Sequence, residues 1–223
     1  LAEDEGSLGQ DALRRAQALH ANAWIKSFDS DVFVGNALVS LYGKCGKITE
    51  AENVFAGLPI RDIVSWNALL FAYVEEGWPH KALRLFRQLK EEGVAPDDRT
   101  FVSSLLACVM LVENDDYSDF SAQSTKLIAV EIGRALHFKS RLRGFDTDLY
   151  VSHTLVNLYG SCGTIAESEN AFIRLREYSV VSWTVMCLAY LKQDEGVKAL
   201  QLYKEMQDEG IAPNDRTITV ALQ

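Results

Sequence analysis

The stretch IVSWNALLFAYVEEGWPHKALRLFRQLKEEGVAPDDR, Ile63 to Arg99, decides the fold. It holds two apolar patterns. Trp66, Leu69, Leu70 and Tyr73 fall at i, i+3, i+4, i+7, and so do Ala82, Leu85, Phe86 and Leu89. That spacing lays each set along one face of a helix. Gly77 and Pro79 separate the two, a helix stop followed by a start with Pro in the first turn. Gly93 and Pro96 end the second helix. The unit reads as a helical hairpin.

The hairpin returns in VVSWTVMCLAYLKQDEGVKALQLYKEMQDEGIAPNDR, Val180 to Arg216. Trp66 comes back as Trp183 (183 − 66 = 117), and Ala82-Leu83, Gly93 and Pro96 as Ala199-Leu200, Gly210 and Pro213 at the same offset. The offset reaches back to a first helix expected over Leu8–Ser27, where Ala18-Leu19-His20 returns as Ala135-Leu136-His137. A shorter hairpin over 32–62 has helices expected near Val34–Tyr42 and Thr49–Leu58, with Gly43 and Gly46 read as its turn. Its copy covers 149–179.

The unit over 98–148 is irregular. Helices are expected at Thr100–Leu111 and Ala129–Arg143, and the stretch between carries Glu113, Asp115, Asp116 and Asp119 with little periodicity. The unit has 51 residues against 31 and 35 in its neighbours. The surplus reads as a projecting acidic loop at about 112–128. Residues 215–223 restart the same unit. The whole of 1–223 is therefore expected to be one all-α stack, beginning with a partial long unit over 8–31. In such a stack neighbours bury the apolar faces that a single hairpin cannot cover.

The net charge of −9 counts against a generic polyanion binder, whose footprint is basic, but leaves room for a local basic groove. With 48% hydrophobic residues the chain has ample material for a core. No apolar run approaches the roughly 18 residues that span a bilayer. LAEDEGSLGQ at the start is acidic and lacks Met, so it is neither a signal peptide nor an Arg-rich transit peptide, and we expect the chain to be a fragment. The four cysteines form no CxxC pair. Cys45 and Cys162 share a register position and read as small buried residues at helix ends in a reducing compartment. No HxE motif, Walker loop or GxSxG is present. We therefore expect no catalytic, metal or cofactor site, and the chain is not read as an enzyme.

LVSLYGKCGKITEAENVFAGLPIRD (Leu38–Asp62) resembles the short motif of the pentatricopeptide repeat family. IVSWNALLFAYVEEG with KALRLFRQLKEEGVAPD resembles its 35-residue motif, and AVEIGRALHFKSRLRGFDTD (Ala129–Asp148) the end of its long motif. The order long, short, 35, long, short, 35, long is that of the plant PLS class. The resemblance implies an α-α superhelix, a solenoid of helical hairpin repeats whose first helices line an inner groove. It implies that single-stranded RNA is read at about one base per repeat.

The resemblance also assigns roles. Two side chains select each base, one early in the first helix and one at the end of the motif. Asn36 with Asp62 and Asn67 with Asp97 would favour uracil, and Thr184 with Asn214 adenine. His153 with Ser179 departs from the usual pairs, and Val102 with Asp148 lacks a polar selector. The implied reading is 5′-U-U-N-N-A-3′. Phe33, Val64, Tyr150 and Val181, each three places before a selector, would pack on base faces. The family further implies organellar RNA processing in mitochondrion or chloroplast, as the recognition part of a cytidine-to-uridine editing factor among other editing-complex proteins, with no membrane.

The residues alone leave alternatives. An Asn early in a helix is also a capping or solvated residue, and Asp62 and Asp97 are also turn residues. A hairpin stack of charge −9 also suits a protein-binding scaffold of the tetratricopeptide kind. Trp66 and Trp183 read as core rather than as base platforms. Lys44 and Lys47 are the candidate phosphate contacts, and the lysines and arginines of the second helices read as solvated.

Overall fold

Each repeat opens on the same chemical punctuation. Asp31, Asp62, Ser179 and Asn214 precede a helix in extended backbone, and each side chain accepts the N–H three residues on, that of Val34, Ser65, Ser182 and Thr217. Asp97 and Asp148 do the same for Thr100 and Val151. Each cap satisfies a backbone donor that the first helical turn leaves open.

The structure is a computed structural model that describes residues 2–25, 28, 31–113, 120–162 and 164–222. Its helices are α1 (Ala2–Ile25), α2 (Val32–Lys44), α3 (Ile48–Gly57), α4 (Ile63–Glu75), α5 (Pro79–Glu91), α6 (Asp98–Glu113), α7 (Phe120–Leu142), α8 (Leu149–Cys162), α9 (Ile165–Ile173), α10 (Val180–Leu191), α11 (Gly196–Asp208) and α12 (Asp215–Ala221). There is no strand among the described residues. The fold class is the expected one, all-α and built of helical hairpin repeats. None of the described helices is long and apolar enough to cross a membrane.

The chain divides into two compact units, Leu1–Ser103 and Ser104–Gln223, with the boundary inside α6. In the first unit α2 and α4 lie side by side, backed by α3 and α5. Trp66 is wholly buried, with the Phe55 ring edge-on to it at 4.9 Å. In the second unit α8, α10 and α12 lie side by side, backed by α9 and α11. Phe172 meets Trp183 there in the same way, at 5.4 Å. The 117-residue recurrence extends to polar contacts within each unit. His20 Nδ1 lies 3.0 Å from the Tyr42 hydroxyl and His137 Nδ1 2.8 Å from that of Tyr159. Tyr73 donates to Glu52 and Tyr190 to Glu169.

Three expectations are corrected. First, α1 begins at Ala2 rather than Leu8. Second, the acidic loop expected at 112–128 is largely helix. α6 continues through Glu113 and α7 is already helical at Phe120, while residues 114–119 lie outside the described residues. The segment FSAQSTKLIAVEI contains neither Gly nor Pro, so no strong helix breaker interrupts it, and no apolar stripe announces it.

Third, Gly43 is not a turn residue. It is buried inside α2, and a Cβ there would stand 2.7 Å from the Cβ of Ala72 on α4. Gly160 on α8 meets Ala189 on α10 equally closely, 2.7 Å from its Cβ and 2.9 Å from its Cα. The turn itself is made by Gly46, at φ 66. Gly160→Ala should therefore destabilise the second unit by about 1–3 kcal/mol in urea unfolding, the usual cost of overpacking. Gly57→Ala, with nothing within 4 Å of the new Cβ, should not destabilise the first unit. Equal stability of Gly160→Ala and the parent would show that the two helices have room to spare.

Candidate nucleic-acid interface

The first helices share a register. Counted from the first helical residue, the second position holds Phe33, Val64, Tyr150 and Val181, at 80%, 52%, 72% and 47% exposure. The fifth position holds Asn36, Asn67, His153 and Thr184. Three residues apart on a helix, the two positions share a face. Each of these four helices thus presents an apolar or aromatic side chain to solvent beside a polar one that is wholly or partly buried.

Two of the expected pairs are brought together directly. Asn36 Nδ2 donates to Asp62 Oδ1 at 3.0 Å. Asn67 Nδ2 donates to both Asp97 oxygens, at 2.9 and 3.0 Å. On the other side of each amide a hydroxyl donates to the oxygen, Ser65 to Asn36 at 2.5 Å and Thr100 to Asn67 at 2.8 Å. A carboxylate only accepts, so the amide nitrogen must face it. One N–H and one lone pair of each amide then remain for another molecule.

The other two pairs meet only through a third side chain. Thr184 Oγ1 lies 2.8 Å from Thr217 Oγ1, which donates to Asn214 Oδ1 at 2.8 Å. His153 Nε2 lies 2.7 Å from Ser182 Oγ, which is 3.2 Å from Ser179 Oγ. Asp148 caps α8, accepting from the N–H groups of Tyr150 and Val151. Val102 is half-buried.

Ser65, Thr100, Ser182 and Thr217 were not singled out by the sequence reading. Their signal was present, as an Asp, Ser or Asn followed three residues later by Ser or Thr at a helix start. Arg99 and Arg216 were missed as well. They take the second position of α6 and α12, where the other first helices carry apolar residues, and both are exposed. Lys44 is exposed at the end of α2 and Lys47 is half-buried before α3. On the second helices Lys81 pairs with Glu52 at 2.9 Å and lies 4.3 Å over the Trp78 ring, while Lys198 pairs with Glu195. Among the described residues no three His, Cys, Asp or Glu gather as a metal site.

Burial pushes the Asp62 carboxyl up, but the hydrogen bonds it accepts, first from the Ser65 N–H and then from the Asn36 amide, outweigh burial and hold it below the ordinary range. Burial depresses His153, with Asp148 opposing, and depresses His137, with Asp146 the first opposing charge. Both imidazoles therefore titrate below their ordinary value of about 6.5. On acidification the unfolded chain takes up these protons first. The stability they contribute is complete above the unfolded pKa and is lost as pH falls through the folded values. Urea midpoints should fall between pH 7 and pH 5, and His153→Asn should fall less steeply than the parent. Parallel slopes for the two proteins would remove His153 from the pH dependence.

A family model described as PPR repeat family matches residues 61–109 and 179–223, and one described as PPR repeat matches 36–59. A putative pentatricopeptide repeat-containing protein of Arabidopsis thaliana is 31% identical over 208 residues, which cover 93% of this chain and 27% of that protein. The chloroplastic pentatricopeptide repeat-containing protein CRR2 of the same plant is 32% identical over 212 residues, 94% of this chain and 30% of CRR2. The chain thus spans less than a third of the length of these two relatives. Among solved structures, the pentatricopeptide repeat protein PPR10 from maize aligns over 86% of this chain and 31% of its own, at 19% identity and a TM-score of 0.43. PPR10 in complex with an 18-nt psaJ RNA element aligns over 93% of this chain and 39% of its own, at 16% identity and a TM-score of 0.39.

Proposed function

The chain belongs to the pentatricopeptide repeat family, and from that premise we propose that it is a sequence-selective single-stranded RNA-binding module. The observation that carries the reading is the pinned amide of Asn36 and of Asn67, each held from both sides with one N–H and one lone pair to spare. Uracil presents an N–H flanked by carbonyl oxygens on its pairing edge. The free N–H of the amide donates to a carbonyl and the free lone pair accepts the ring N–H. The exposed side chain three residues earlier, Phe33 or Val64, supplies a surface for the base face. Thr184 with Asn214 selects adenine, so the chain reads 5′-U-U-N-N-A-3′. Arg99 and Arg216, with Lys44, meet phosphates.

The alternation of 31- and 35-residue repeats supports the PLS class, and with it a role as the recognition part of a cytidine-to-uridine editing factor in mitochondrion or chloroplast. Relatives named as chloroplastic fit that placement. Titration of a U-U-N-N-A oligonucleotide against a scrambled one, at low and moderate salt, tests the reading. Preference for the first, with affinity for both weakening as salt rises because binding releases counterions, is the expected result. A longer chain that binds neither oligonucleotide at low salt would overturn it. The net charge of −9 favours a second reading, a helical scaffold that binds protein, and that outcome would leave it standing.

A further inference from the structure

Resting on the RNA reading above, we infer that the third residue of a first helix, where it is Ser or Thr, is a positioning residue for the base selector of the preceding repeat. Ser65, Thr100, Ser182 and Thr217 occupy this place, and all four are buried. Each hydroxyl touches two groups, the cap of its own helix and the selector of the repeat before. Ser65 Oγ lies 2.9 Å from Asp62 Oδ1 and 2.5 Å from Asn36 Oδ1. Thr100 Oγ1 lies 2.8 Å from Asp97 Oδ1 and 2.8 Å from Asn67 Oδ1. Ser182 spans Ser179 and His153, and Thr217 spans Asn214 and Thr184.

Capping does not require the hydroxyl. Asp31 and Asp148 cap their helices through the N–H of Val34 and of Val151, each at 3.0 Å. What the hydroxyl follows is the selector. In the register of the chain a polar fifth residue is followed, one repeat on, by Ser or Thr at the third. The unit with Val102 at the fifth position is followed by Val151. In the order of the sequence, a side chain that cannot accept a hydrogen bond is thus followed by one that cannot donate it.

The proton of the hydroxyl does the positioning. The hydroxyl has one proton and lies between two acceptors. The cap carboxylate also accepts the amide N–H and a backbone N–H, while the amide oxygen has no other donor among the described residues, so the proton goes to the amide oxygen. An amide turned over would set its oxygen against the carboxylate, and its nitrogen would lose that acceptor. The two neighbours together therefore fix which end of the amide meets the base. Without the hydroxyl the inner lone pair of the amide oxygen loses its donor, and the orientation is held from one side only.

Thr100→Val keeps the side-chain shape and removes the proton, and Val34 and Val151 show that valine fits the third position of a first helix. Thr100→Ser keeps the proton. The readouts are affinity for U-U-N-N-A with uridine or cytidine at the second position, and the NMR signals of the Asn67 side-chain amide without RNA. In Thr100→Val the uridine preference at the second position should fall about 5-fold, the worth of one net hydrogen bond, and the first-position preference should stay. Thr100→Ser should restore it. The Asn67 amide protons should exchange with water faster in Thr100→Val than in the parent. A full uridine preference in Thr100→Val, an equal loss for all bases at both positions, or unchanged Asn67 amide signals would each overturn the inference and leave the RNA reading intact. A parent chain without any uridine preference overturns the RNA reading, and this inference with it.

Discussion

Trp66→Ala is expected to destabilise the first unit by about 3–5 kcal/mol, the cost of emptying a large core site. The indole is wholly buried at the first turn of α4 and meets the Phe55 ring of α3 edge-on. It therefore ties one hairpin to the next, which is where a repeat stack holds its stability. A loss of this size is a large fraction of the roughly 5–15 kcal/mol that a domain has in total. Trp66→Phe should cost less than half as much. The indole N–H has no hydrogen-bond partner among the described residues, so volume rather than polarity is what the site uses. Urea unfolding followed by circular dichroism measures both. A change under about 0.5 kcal/mol for the alanine variant would place Trp66 outside the core and restore it as a surface for bases.

The double change Asn67→Thr with Asp97→Asn is expected to move preference at that base from uracil to adenine by about tenfold, roughly the worth of one exchanged hydrogen bond. The second unit already contains the target arrangement, with Thr184, Thr217 and Asn214 linked at 2.8 Å each. In the first unit Thr100 stands where Thr217 does and is as fully buried. The altered pair therefore meets a hydroxyl that can accept from the new threonine and donate to the new asparagine. Both residues lie at a helix start with the cap preserved, since asparagine caps α12 as aspartate caps α4. The fold should persist, and circular dichroism checks that it does. An unchanged base preference in a folded variant would falsify the assignment of these residues to base selection.

The hairpins, their order and the core tryptophans were legible in the chain alone. Helical period, caps and Gly or Pro stops act within a few residues, and Trp66, Leu69, Leu70 and Tyr73 declare a buried face without reference to any partner. The shared register of Asn36, Asn67, His153 and Thr184, the proposed selectors, was legible too, because the resemblance assigns position within a repeat. What linear order could not express was contact between repeats. Asn36 and Asp62 are 26 residues apart, and their hydrogen bond exists only because adjacent first helices stand close enough. That closeness depends on Gly43, which locally looks like a helix stop and in the fold is the gap that admits Ala72. Ser65 announces a helix start through its N–H, yet its hydroxyl reaches back to the repeat before. The start of α7 shows the converse: it holds no Gly or Pro to break a helix and no apolar pattern to announce one. Short-range periodicity thus set the elements, and side-by-side packing of those elements set which polar atoms face one another, because hydrogen bonding is decided by distances in space that only packing creates.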